Sequence, residues 1–168
     1  MPRAIVDDLL AEGLRVVFCG TALGAASARA RAYYAGPGNK FWPTLHAVGL
    51  TPRRLAPAEY REVLAYGIGL TDLCKTKSGS DAEIGRDGYE PRRLAAQMER
   101  YRPALLALTS KRTAQEALAL KRVGYGPLGR ELGGVPVWVL PSPSGAASGH
   151  WDIGQWRELA AEVGARAR

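Results

Sequence analysis

The sequence predicts an α/β protein: a three-layer α/β/α sandwich around a mostly parallel central sheet. Two observations predict it. Apolar runs of strand length, near 15–19, 104–108 and 135–140, alternate with stretches of helical periodicity. Strands alternating with helices imply a sheet with helices on both faces. The run Ala104 to Leu108 also has no polar member, as expected of a strand covered on both sides. The 168 residues make one domain, 1–168, at roughly 150 residues per domain.

Taken in order, Arg15 to Cys19 is β-branched and aromatic and stops at Gly20, so it reads as a buried strand. Gly20 to Gly38 is rich in Gly, Ala and Ser and reads as a long loop with one helical turn near Ala25 to Arg31. Asn39 caps a helix through Phe41, Trp42, Leu45 and Val48, ended by Gly49. A helix follows Pro57, with Tyr60, Val63 and Leu64 on one face. Ile68 to Leu73 is a short strand, and Lys75 to Gly88, Gly/Ser-rich and polar, is a loop. After Pro91, Leu94, Ala95, Met98 and Tyr101 recur at helical spacing, and Pro103 ends that helix. Lys111 to Leu120 is helical, and Val135 to Leu140 is a strand. Pro141 to Gly149 carries too many Pro, Ser and Gly residues for regular structure. Trp151 to Val163 is the closing helix. No internal repeat and no linker interrupts this order.

Ligands of such sheets bind beyond the carboxyl ends of the strands. The loops 20–38, 75–88 and 141–149 all follow strands, so the topology brings them to one cleft.

Composition narrows the partner. Hydrophobic residues make up 46% and charged residues 23%, which excludes disordered and fibrous chains. No apolar run reaches the ~18 residues of a membrane span, and the acidic N-terminus lacks a signal-peptide core. A cytoplasmic protein with no membrane partner is expected. Two cysteines, Cys19 and Cys74, make no disulfide framework, and no spacing suggests zinc. No cofactor and no metal are expected. The net charge of +7 suits a polyanion such as nucleic acid, or simply keeps the protein soluble.

Within the cleft loops, Gly20-Thr21-Ala22-Leu23-Gly24 lets backbone N–H groups approach a ligand closely; a tight strand-to-helix turn would use the same residues. The motifs GK[ST] and GxGxxG are absent, which excludes a P-loop and a dinucleotide fingerprint. Tyr33 and Tyr34 stand among small residues. A ring there either stacks on a base or packs beneath the loop; packing is expected for Tyr33, and both readings stand for Tyr34. Pro141 to Ser144 offers hydroxyls and fixed torsions that suit gripping a phosphate, or making a stiff connector. His46 is a structural residue of its helix. His150 adjoins the last loop, where it touches a phosphate or caps a helix.

Four blocks in order then resemble a known family. They are Val16-Val17-Phe18-Cys19-Gly20 with its small-residue loop, Tyr34-Ala35-Gly36-Pro37-Gly38-Asn39-Lys40-Phe41-Trp42, Gly69-Leu70-Thr71-Asp72-Leu73, and Val137 to Gly145. They resemble the mismatch-specific uracil-DNA and thymine-DNA glycosylases of the uracil-DNA glycosylase superfamily, over about Arg15 to Val163. The resemblance implies a monomeric enzyme that flips uracil out of double-stranded DNA, from mismatches among other contexts, and hydrolyses its N-glycosidic bond. Flipping is required because the bond is unreachable inside the stack. By the same resemblance, Tyr34 stacks on the base, and Gly20, Thr21, Ala22, Ser27, Asn39 and Ser142 surround it. Ser144, Gly145, Ala146, Ser148 and His150 meet the DNA, with Ala146 at the wedge position.

One departure matters. Where the family's first motif has the Asn that positions water, this chain has Ala22, and Ser142 replaces a second Asn. Either activity is lost or reduced, which permits a non-catalytic binder of damaged or abasic DNA, or another polar group handles the water. A carboxylate near C1′ is the natural substitute, because the sugar gains positive character. Asp81, in a Ser/Gly loop, is expected ahead of Asp72 at the end of a strand. Each has a bland alternative, a turn cap or an ion pair with Lys75 or Lys77.

Overall fold

The computed structural model describes residues 3–166, without the side chains of Asp81, Ala82, Arg86 and Ser148. Five strands form one sheet: β1 (Val16–Gly20), β2 (Ile68–Asp72), β3 (Leu106–Leu108), β4 (Gly126–Leu132) and β5 (Val135–Val139). Their order is β2-β1-β3-β5-β4. β1 lies parallel to β2 and β3, β3 lies parallel to β5, and only the edge strand β4 runs antiparallel.

Every residue of β1 is buried, and the period of two divides them between the faces. Val16 and Phe18 enter one core with Phe41, Trp42 and Leu45 of α2 (Phe41–Ala47), and with Trp156, Leu159 and Val163 of α6 (Ile153–Arg166). Val17 and Cys19 enter the other with Leu94 and Met98 of α4 (Pro91–Tyr101), and with Ala114 and Ala117 of α5 (Lys111–Leu118). The expected three layers are therefore present. Two shorter helices complete the set, α1 (Ala25–Ala30) and α3 (Asp81–Ile84).

Four local expectations are corrected. The segment Pro57–Tyr66 is a 3-10 helix. Loop 75–88 is not wholly irregular: it holds α3 and a 3-10 turn, Arg86–Gly88. Ser80 starts α3, and its hydroxyl and backbone N–H both bond the Glu83 carboxylate. Loop 141–149 likewise ends in a 3-10 turn, Gly145–His150. Finally, β4 was not expected. Its sequence GPLGREL lacks apolar alternation, and Gly133 and Gly134 join it to β5 with φ of 57° and 82°. A two-residue turn with both φ positive matches the twist of a hairpin. Among the described residues no helix is long and apolar enough to cross a membrane.

Candidate active site

A cleft of about 640 Å³ opens beyond the carboxyl ends of β1, β2, β3 and β5. Thr21 to Ser27 form one wall and Gly79 and Ser80 another. Ser142 to Ala147 form the third, so the three loops do converge. Backbone bonds lock them together: the Gly79 N–H donates to Leu23 at 2.9 Å, and the Lys40 N–H donates to Pro143 at 2.8 Å. The last wall approaches residues 37–38 so closely that a Cβ on Gly145 would stand 3.1 Å from the Pro37 carbonyl.

The floor is made at Gly20. A Cβ there would sit 3.5 Å from Thr109 Oγ1, and 3.6 Å from both Asp72 Oδ1 and the Tyr34 hydroxyl. Three polar groups from three elements thus face one small space that glycine leaves open. Tyr34 Oη and Thr109 Oγ1 are 3.3 Å apart. Thr109 and Ser110 were not found from sequence. Nothing in a Thr-Ser pair after an apolar strand is distinctive; only their place at a strand's carboxyl end could have flagged them.

Tyr34 is half-buried and lines the cleft. Its ring stacks on Phe41 with centroids 3.8 Å apart and planes 16° apart. Its φ is 54°, the left-handed region that costs an L-residue roughly 1–2 kcal/mol. The stack on Phe41 and the bond to Thr109 hold it there. Burial pushes its phenol well above the ordinary range. Tyr33 is buried as expected. It packs on Tyr60, and its hydroxyl donates to the Asp7 carbonyl at 3.0 Å.

Asp72 lies at the end of β2, 3% exposed, on the cleft floor. Its Oδ2 accepts from Lys75 Nζ at 3.1 Å, so the ion pair with Lys75 exists, while the same carboxylate also borders the cleft. Burial pushes its carboxyl up to about 6; Lys75 pulls it down, and the nearby Asp8 raises it again. Burial pulls the Lys75 ammonium down, but Asp72 and Asp8 more than offset this, and its pKa stands above the usual value. A carboxyl near 6 is ionised at neutral pH and still basic enough to take a proton.

The remaining expected residues divide. Ser27 lines the cleft, but its Oγ accepts from the Ala35 N–H at 2.9 Å, which shapes the first loop. Asn39 also lines the cleft, and its Oδ1 accepts from the Phe41 N–H at 2.9 Å at the start of α2. Ser142 Oγ accepts from the Ser144 N–H at 3.2 Å, and Ser144 Oγ from the Ala146 N–H at 3.3 Å. These two hydroxyls therefore fold their own loop. Ala22 lines the cleft without a polar group. Gly145 and Ala146 are exposed on the rim. His150 is exposed at the end of the last 3-10 turn and is not part of the cleft lining. The side chains of Asp81 and Ser148 lie outside the described residues.

Comparison with known proteins places the chain in a family and supports its fold. The family model described as the uracil DNA glycosylase superfamily matches residues 8–161. A solution structure of a provisionally assigned uracil DNA glycosylase from Methanosarcina acetivorans is similar, with a TM-score of 0.70 at 20% identity. The match covers 96% of this chain and 98% of that one. At that identity the likeness carries the fold.

Proposed function

The chain belongs to the uracil DNA glycosylase superfamily, and we propose that it excises uracil from double-stranded DNA as a monofunctional enzyme of the mismatch-specific branch. One observation carries this reading. The cleft floor joins an aromatic wall, Tyr34, to a buried carboxylate, Asp72, across the space left by Gly20. The flipped base stacks on Tyr34. As the C1′–N1 bond breaks, its electron pair goes to the uracil ring and the sugar becomes cationic. Asp72, ionised, stabilises that charge and orients a water whose oxygen bonds to C1′. The water's proton passes to Asp72 and then to solvent. This assigns to Asp72 the role that Ala22 cannot fill. The rim, Ser144 to Ala146, meets the DNA strand, and Ala146 enters the gap left by the base.

The test is incubation with a uracil-containing duplex followed by alkali. Strand cleavage at the uracil supports the reading, and an intact duplex contradicts it. Ala22 favours a second reading, a binder of abasic or damaged DNA that does not cut. Tight binding without cleavage would establish that one. In either case the +7 charge makes affinity fall with salt, by ~0.9 in the log–log slope per phosphate neutralised.

A further inference from the structure

We propose that Asp8, Lys75 and Arg93 are positioning residues for Asp72, a buried charge network that ties one of its carboxylate oxygens and turns the other to the cleft. The proposal rests on the reading of Asp72 given above.

The geometry starts at Lys75, 7% exposed. Its ammonium has three hydrogens and three acceptors: Asp72 Oδ2 at 3.1 Å, Asp8 Oδ1 at 3.0 Å and the Tyr33 hydroxyl at 3.0 Å. No hydrogen is left over, so the ammonium has one orientation. Asp72 Oδ1 is the oxygen left facing Gly20. Asp8 is equally committed. Thr71 Oγ1, Lys75 Nζ, Arg93 Nη1 and Gln97 Nε2 all donate to its two oxygens. Arg93 also donates through Nη2 to the Asp72 backbone carbonyl, and so binds both ends of the network.

Asp8 arrives on an N-terminal strap. Leu9 and Leu70 exchange two backbone bonds of 2.9 Å, and the Ile5 N–H donates to the Lys75 carbonyl at 3.0 Å. The strap thereby covers the free edge of β2, which a sheet must otherwise protect. It also delivers a second carboxylate to the lysine that Asp72 depends on.

Asp72 and Asp8 face Lys75 and Arg93, and Arg93 is also paired with Glu90 at 3.5 Å. The other titratable groups around Asp72 are Cys19 on β1 and Tyr33 and Tyr34 in the loop after it. Burial pushes all three above their usual range, and they stay neutral near pH 7. The charges that Asp72 feels are therefore those of Lys75, Arg93 and Asp8. The first two favour its ionised form and Asp8 opposes it. The strap residue and the lysine then act on Asp72 in opposite senses.

The experiment follows the Asp72 carboxyl by carbon-13 NMR titration in the full chain, in the parent, Asp8→Asn and Lys75→Met proteins. The expected midpoint moves down by about one pH unit in Asp8→Asn and up by about one unit or more in Lys75→Met, the scale of a nearby charge. Single-turnover uracil excision should show its acid limb moving the same way. Midpoints that stay put in both folded variants, or move in one direction together, overturn the proposal. If the midpoints move as expected but the parent cuts no uracil, the network stands and the glycosylase reading fails. Should either variant not fold, the parent decides. The Lys75 ammonium nitrogen must then shift at the same midpoint as the Asp72 carboxyl, and a Lys75 signal blind to that midpoint overturns the proposal.

Discussion

The floor and the rim of the cleft hold their side chains in different ways. On the floor, Asp72 is held by Lys75, which with Asp8 behind it bonds to partners from the N-terminal strap, β2 and α4, and Asp72 and Lys75 are under 10% exposed. On the rim, the Ser142 and Ser144 hydroxyls accept from N–H groups two residues ahead, and Gly145 and Ala146 face solvent. Groups that must meet the reacting atoms in one geometry are fixed from several directions. Groups that meet a phosphate backbone need only a surface of stable shape. The contrast teaches a separation of tasks: floor substitutions should change rate, and rim substitutions should change affinity.

The largest break is expected at Asp72. Asp72→Asn should lower single-turnover excision by roughly 10²-fold or more, with DNA affinity nearly unchanged in a binding titration. Next comes Tyr34→Ala, which removes a stacking face worth ~1–3 kcal/mol per base and should slow excision about tenfold or more. Tyr34→Phe, losing only the bond to Thr109, should be mild. A smaller effect is expected at Gly145→Val, where the added Cβ meets the Pro37 carbonyl at 3.1 Å. Affinity should weaken there while the rate at saturating enzyme persists; a rate loss at saturation would erase the separation of floor from rim.

A last effect is on stability rather than on rate or affinity. The folded-state pKa of Asp72 is raised from 3.8 to about 6, so the fold favours its protonated form. Its contribution is present in full below about pH 4 and lost as pH rises through about 6. Asp72→Asn should thus gain on the parent as pH rises from 4 to 7, by at most about 1.4 kcal/mol per pH unit. Thermal melts across that range read it, and a constant difference in Tm would contradict it.

Much of the fold was legible because β1, β3 and β5 are apolar runs and β2 opens on Ile68 and Leu70, so all four lie close to where the sequence places strands. β4 escaped because its residues are held by a glycine hairpin and by pairing with β5, not by burial. The short α3 escaped because four residues carry no period. At the site, the loops that converge could be read from strand ends. The choice between Asp72 and Asp81 could not. Sequence favoured the flexible loop, whereas Asp72 is the carboxylate found on the floor, and the Asp81 side chain lies outside the described residues. Asp8 was invisible, since its partners Thr71, Arg93 and Gln97 are 63, 85 and 89 residues away, and no local pattern marks an acid as the anchor of a distant lysine.

The central claim is that Asp72, ionised, performs the water chemistry. Its most direct test is the pH dependence of single-turnover uracil excision between pH 4.5 and 8, in the parent and in Asp72→Asn. The account predicts a parent rate that falls below a midpoint near 6, and a slow, pH-independent residual rate in the variant. A variant that keeps the parent's rate and its acid limb would contradict it.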